Sequence, residues 1–274
     1  DSEMFDERTP ALTVGVRGLV AADVRVRTAG KDLHSGLYGG TVLNATHVLH
    51  SMLDEVLPGP DGRLRDELRK GIIAPAPEEL ASWKDMPPAA ELFAQIGGLP
   101  IHEGSAADYY EQNWADASLD VNGIEGGDAL QKRTIIPATA RARLTVRLAP
   151  GQSASEIAST LEQLLRDAAP GGAEVEIETD GSDPAVFEPS LPALELGRVA
   201  LEEACGAPPV LIRSGGSIPV LAAFARRNIP TILSGFTRPE DAFHAPDESF
   251  RLESLRLGEL AARALYRRLA ALPR

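Results

Sequence analysis

A single cysteine, Cys205, stands among the 274 residues, so no disulfide framework is available. That scarcity fits a reducing compartment, and the expectation is a cytoplasmic protein. Cys205 closes the apolar-rich run Leu201-Glu202-Glu203-Ala204-Cys205 before Gly206, where a buried structural thiol is expected. No apolar run approaches the ~20 residues of a membrane span, and the start carries no signal-peptide pattern. A membrane partner is therefore not expected. Basic residues are scarce: 27 Lys and Arg stand against 40 Asp and Glu, a formal charge of −13. Nucleic-acid binding needs a concentrated basic face, so that class of partner is excluded. Neither H-E-x-x-H nor a phosphate-cradling P-loop occurs, and no G-x-S-x-G elbow is present. An initiator Met is also lacking; the chain opens Asp1-Ser2-Glu3, and position 1 is not expected to start the gene product.

What remains is ordinary globular material, 43% hydrophobic and 24% charged, enough for one large or two modest domains. Ala11 to Gly18 and Ala22 to Thr28 alternate like strands. A helix from about Thr41 to Val56 gathers Val42, Ala45, Leu49, Met52, Leu53 and Val56 on one face. Residues 63 to 116 are less regular, with short helices near Glu78 to Lys84, Ala89 to Gln95 and Ala106 to Trp114. Trp83 and Trp114 read there as packing anchors. Strands follow at Ala117 to Asn122 and Ala138 to Leu148, then a helix opened by a Ser153/Glu156 capping box. A strand at Ala173 to Thr179 ends at Asp180-Gly181. From about 19 to 182 the order is thus β, α, β, β, α, β, four antiparallel strands with both helices on one face.

Beyond Pro189 the texture changes. Helices are expected over Pro192 to Cys205, Ile218 to Arg227 and Leu252 to Leu272, with strands at Pro209 to Arg213 and Thr231 to Gly235. This is α/β layering and belongs to another domain. The chain therefore reads as one domain interrupted by a second, with segments 1–17, 18–183 and 184–274.

Three loops carry candidate chemistry. Lys31-Asp32-Leu33-His34-Ser35-Gly36-Leu37-Tyr38-Gly39-Gly40 joins an imidazole to a glycine-rich turn, where backbone can approach a ligand. His34 reads equally as a turn histidine packed by Tyr38. Gly215-Gly216-Ser217-Ile218-Pro219 links a strand to a helix start, suited to a carboxylate, or forms a tight turn with Ser217 as N-cap. His244 lies among Glu240, Asp241, Asp247 and Glu248, as a metal ligand or as a surface histidine. Arg147 shares a strand face with Arg141 and Arg143, either as a solvent-facing row or as a carboxylate clamp. His47, His50 and His102 read as structural or exposed.

Taken in order, these motifs, with Gly123-Ile124-Glu125-Gly126, Thr134-Ile135-Ile136-Pro137 and Arg147-Leu148-Ala149-Pro150, resemble the two-zinc aminoacyl hydrolases. That family includes carnosine dipeptidase, glutamate carboxypeptidase, acetylornithine deacetylase and succinyl-diaminopimelate desuccinylase. The resemblance implies an α/β zinc-peptidase catalytic domain, incomplete here, interrupted by a ferredoxin-like βαββαβ lid that makes a homodimer. It implies that Asp1 and His244 each ligate one of two zinc ions, with manganese or cobalt as alternatives. By the same match His34 reaches the partner subunit's active site and holds the oxyanion, and Thr134 contacts substrate across the dimer. Arg147, Gly216 and Ser217 match holders of the substrate's C-terminal carboxylate. The reaction implied is hydrolysis of dipeptides; removal of N-acyl groups from amino acids, or a non-catalytic dimerisation module, are the alternatives. The family's H-x-D-x-x-P segment, bridging aspartate and paired glutamates are absent from the sequence. The expectation is thus the C-terminal portion of such an enzyme, inactive without its N-terminal portion and exposing apolar surface on residues 184–274.

Overall fold

The computed structural model describes residues 2–75, 77–84, 86–242 and 246–270. They form two compact units, one built from the stretch up to Val16 together with the stretch from Ala185 onward, the other from Arg17–Pro184.

At the centre of the first unit is β1 (Ala11–Val16), paired antiparallel with β8 (Ala185–Val186) and parallel with β9 (Val210–Ser214). All six residues of β1 are buried, although its sequence reads as an alternating strand. A central strand covered on both faces tolerates Thr13 and Gly15 inside, so alternation is no guide there. Three helices complete the unit: α8 (Pro192–Cys205), α9 (Pro219–Arg226) and α10 (Leu252–Leu269). Pro192 starts α8 and Gly206 ends it in the left-handed conformation. The core joins Leu12, Val14 and Val16 to Phe187, Leu194, Leu201 and Leu221. A strand expected at Thr231 to Gly235 is reduced to one bridge, Leu233 with Thr13. Beside it the Ser234 hydroxyl, not the backbone, serves the Ala11 carbonyl at 2.7 Å. Apolar side chains are exposed on α10, Leu252 at 84%, Leu255 and Tyr266 among them. Cys205 is half-buried rather than buried, and that burial pushes its thiol pKa up.

The second unit contains β2 (Gly18–Arg27), β3 (Leu33–His34), α1 (Ser35–Tyr38), α2 (Ala45–Val56), α3 (Asp66–Arg69), α4 (Pro77–Lys84), α5 (Ala89–Ile96) and α6 (Ser105–Ala115). It continues with β4 (Ser118–Gly126), β5 (Ile135–Ile136), β6 (Thr139–Leu148), α7 (Ala154–Asp167) and β7 (Glu174–Ser182). Four strands form an antiparallel sheet in the order β4-β6-β2-β7. Alternation decides which face each residue takes. Val20, Val24, Leu144 and Val146 turn toward Leu49 and Met52 of α2 and Ile157 and Leu161 of α7. Asp23, Arg25, Arg141 and Arg143 occupy the opposite face. Burying each large apolar side chain contributes about 1.5–3 kcal/mol.

Three local expectations are corrected in this unit. Helix α2 starts at Ala45 rather than Thr41, because the Asn44 side chain accepts the Thr46 N–H at 2.9 Å and caps it; Val42 stays 41% exposed. The Ser153/Glu156 capping box does not form. Instead Asp183 Oδ1 accepts the Ala154 N–H at 2.8 Å, while the Ser153 and Ser155 hydroxyls meet each other. Strand β7 runs through Asp180-Gly181 to Ser182, since β2 offers ladder partners in Ala21, Val20 and Leu19. Trp83 and Trp114 are buried and meet edge to face, ring centroids 5.4 Å apart. Among the described residues, no helix is long and apolar enough to cross a membrane.

Candidate functional site

The two-stranded β3–β5 ladder sets Leu33 opposite Ile136 and His34 opposite Ile135. Its far edge is held by Ser35, whose N–H and hydroxyl both donate to the Thr134 carbonyl, at 3.0 and 2.9 Å. His34 and Thr134, far apart in sequence, are therefore neighbours in the second unit. Asp32 anchors the root of the ladder, with Oδ1 accepting the Ala138 N–H at 3.0 Å.

His34 is exposed and caps α1: its Nδ1 accepts the Gly36 N–H at 3.0 Å. The motif explains how. A side chain at position 36 would put Cβ 2.9 Å from the imidazole Cε1, so glycine lets the ring fold back. Gly39 is equally constrained, because a Cβ there would lie 2.4 Å from the Ser35 carbonyl. An acceptor at Nδ1 leaves the neutral ring's proton on Nε2. The outward edge of His34 is then a hydrogen-bond donor on a solvent-facing loop. Tyr38 is 45% exposed, so the alternative of a packed turn histidine is weakened.

Arg147 lies toward one end of the sheet, opposite Leu19 on β2 and Ser118 on β4. From Thr139, a few residues past β5, to Arg147 strand β6 advances roughly 27 Å at ~3.4 Å per residue. The β3–β5 ladder of His34 therefore adjoins one end of β6, and Arg147 lies near the other. Arg141 and Arg143 share the pleat face of Arg147 but turn to Asp23. Near Arg147 is Arg17, a residue the sequence marked only as a joint. It is 7% exposed and donates to Ser118 Oγ and Asn113 Oδ1 at 3.2 and 3.1 Å. Burial first, then the like charge of Arg147, pull its pKa down to about 10. It still carries its charge at neutral pH. An arginine between a buried strand and Gly18 was the available signal.

In the first unit, Gly216 and Ser217 lie between β9 and α9. The Gly216 N–H is not open, as the sequence suggested, but donates to Ser214 Oγ at 3.1 Å. Ser217 is not the cap; Ile218 is, with no side-chain bond to the first turn. Pro219 stands in that first turn as expected. Asp1 and His244 lie outside the described residues. His47 and His50 are exposed on α2, and His102 Nδ1 accepts the Gly104 N–H, in keeping with local roles. Among the described residues, no group of three His, Cys, Asp or Glu side chains could hold a metal ion. Zinc takes about four ligands, so the described residues alone do not fit a metal centre.

Comparison with known proteins bears on the whole chain. The family described as "Peptidase dimerisation domain" matches residues 14–173. The cysteinylglycine-S-conjugate dipeptidase of Corynebacterium striatum is 28% identical over 249 residues, covering 88% of this chain and 52% of that protein. The Cys-Gly metallodipeptidase DUG1 of Saccharomyces cerevisiae is 25% identical over 97% of this chain and 56% of its own length. The chain thus spans about half the length of these curated relatives. Among solved structures, the dipeptidase Dug1p from Saccharomyces cerevisiae superimposes with a TM-score of 0.81 at 23% identity, over 100% of this chain and 59% of that one. Human carnosine dipeptidase 1 gives 0.75 at 21%, over 97% and 57%. These structures share the fold. With more than half of its residues matched, the chain belongs to the M20 peptidase dimerisation-domain family.

Proposed function

We propose that this chain supplies the lid and the closing part of the catalytic domain of a metal-dependent dipeptidase that works as a homodimer. In this reading residues 18–183 are a ferredoxin-like lid, and segments 1–17 and 184–274 belong to the catalytic domain. Support comes from the named relatives, which are dipeptidases, and from the family match. The observation that carries the reading is that the β3–β5 ladder of His34 adjoins the Thr139 end of β6 while Arg147 lies near the other end of that strand. Two groups matched to one substrate and set toward opposite ends of a strand are brought together by a substrate that lies between two copies.

The roles follow from the chemistry of each side chain. The Nε2–H of His34 donates to the oxyanion that forms as the peptide carbonyl is attacked, and Thr134 beside it contacts the same substrate. Such a donor acts by being held in place before charge develops. Arg147 of the other copy takes the substrate's C-terminal carboxylate through its planar guanidinium, with Gly216 and Ser217 completing the grip. The Ser214 hydroxyl that occupies the Gly216 N–H is a weak neutral partner that a carboxylate displaces. The metal of this reading, zinc first and manganese or cobalt after it, would be held by Asp1 and His244 and would acidify the attacking water. It would need further ligands and a base besides the described residues.

The test is an assay of the intact gene product against dipeptides and N-acyl amino acids, with and without a chelator. Chelator-sensitive turnover of dipeptides is expected. Selective turnover of N-acyl amino acids would replace the reading with a deacylase. No hydrolysis and no stoichiometric metal would leave only a dimerisation module.

A further inference from the structure

Beside the β3–β5 ladder, the polar face of β2, β4, β6 and β7 forms a cleft of about 570 Å3. Small-molecule sites commonly fall between about 300 and 1,000 Å3. Four arginines and five carboxylates line it, so the lining is close to neutral as a whole. That balance disfavours a polyanion and suits a ligand bearing both signs of charge.

How the charges are used narrows the choice. Arg25 and Arg141 are engaged by Asp23. Arg27 and Arg133 have no acidic partner among the described residues; Arg27 donates only to the Ala29 carbonyl at 3.3 Å. Glu125 and Glu174 likewise take part in no ion pair among the described residues. Arg27 and Glu174 even stand opposite each other in the strand register, yet their charged ends do not join. Arg27, Arg133 and Glu174 thus face one cavity without an ion pair among the described residues, while Glu125 is left to the longer-range charge of Arg141. Solvated surface charges gain little from pairing, but a ligand presenting both partners at once gains from each.

We propose that this cleft binds a small zwitterion of the amino-acid or dipeptide class. Its carboxylate lies on Arg27 and Arg133, and its ammonium on Glu125 and Glu174. Asp32 and Ile135 in the same lining adjoin or belong to the β3–β5 ladder that sets His34 beside Thr134, so the occupant touches the root of that ladder. The binding site itself does not depend on the dipeptidase reading.

Calorimetric titration of the 274-residue chain with Ala-Gly, in buffer containing a chelator, tests it. Binding is expected with a Kd of about 1 mM. N-acetyl-Ala-Gly and Ala-Gly amide, each lacking one charge, should bind about tenfold more weakly. The double variant Arg27→Gln/Arg133→Gln should lose about tenfold with an unchanged melting temperature, and Glu125→Gln/Glu174→Gln should do the same. Arg256→Gln, on α10 and outside the lining, should leave the affinity unaltered. Absence of binding, equal binding of the capped peptides, or loss in Arg256→Gln with retention in both double variants would overturn the proposal. Failure of the dipeptidase reading would appear instead in the turnover assay.

Discussion

Mixing two inactive variants should restore activity, and the amount restored follows from how each site divides its groups between two copies. The β3–β5 ladder that carries His34 adjoins the Thr139 end of β6, and Arg147 lies eight residues further along that strand, a span of roughly 27 Å from Thr139. If each active site takes Arg147 from one copy and His34 from the other, His34→Ala and Arg147→Ala each disable both sites of a homodimer. Removing the oxyanion donor should cost ~10²–10³ in turnover. A dimer holding one copy of each variant has one site with both groups intact and one with neither. Random exchange makes about half of the dimers mixed, so an equimolar mixture should recover about one quarter of wild-type turnover. The assay is dipeptide hydrolysis by the intact gene product after the variants are mixed under conditions that allow subunit exchange. Metal content should be unchanged in His34→Ala, since its imidazole is assigned no ligand role. Recovery no greater than the sum of the separate variants, with exchange verified, would show that both residues serve a single copy.

Two further outcomes concern the fold that holds these residues. Gln152 is 4% exposed; its Oε1 accepts the Ala149 N–H at 2.9 Å and its Nε2 donates to the Leu68 and Lys70 carbonyls at 2.9 and 3.2 Å. Gln152→Ala strands a donor on a fully buried residue, and a loss of about 3 kcal/mol is expected in urea unfolding of the lid; below ~0.5 kcal/mol the staple is unimportant. The hydrogen bond from Arg141, followed by the charges of Arg141, Arg25 and Arg143, holds the Asp23 carboxyl below its ordinary pKa despite some burial. Its stabilising effect is therefore present above the unfolded value of ~3.9 and lost as pH falls through the lower folded value. Thermal melts of Asp23→Asn should show a shallower acid limb than wild type, and an identical slope would argue that the open-face network contributes nothing.

Local pattern was a good guide wherever one face of an element meets the core and the other meets water. Strands β2 and β6 alternate cleanly for that reason, and α2 carries its apolar stripe on Ala45, Leu49, Met52, Leu53 and Val56. The guide weakened where a partner distant in sequence competed with a local one. Asp183, 29 residues away, took the cap that Ser153 and Glu156 were expected to make. Strand β7 passed its turn-like Asp180-Gly181 because β2 was long enough to pair with it. In β1 burial on both faces erased the distinction that alternation relies on.

By itself the sequence determined the order of elements, the charged character of one sheet face and the motifs around His34, Thr134, Arg147 and Gly216-Ser217. Those depend on residue type and short spacing, which the chain carries explicitly. Only the tertiary structure decided that His34 and Thr134 meet at the β3–β5 ladder, beside one end of β6, while Arg147 lies near the other end of that strand. It also decided that Ser214 occupies the Gly216 N–H, and that unpaired charges of both signs face one cleft. Such relations join residues through hydrogen bonds and register set by the packing of whole elements, and no local stretch of sequence contains them.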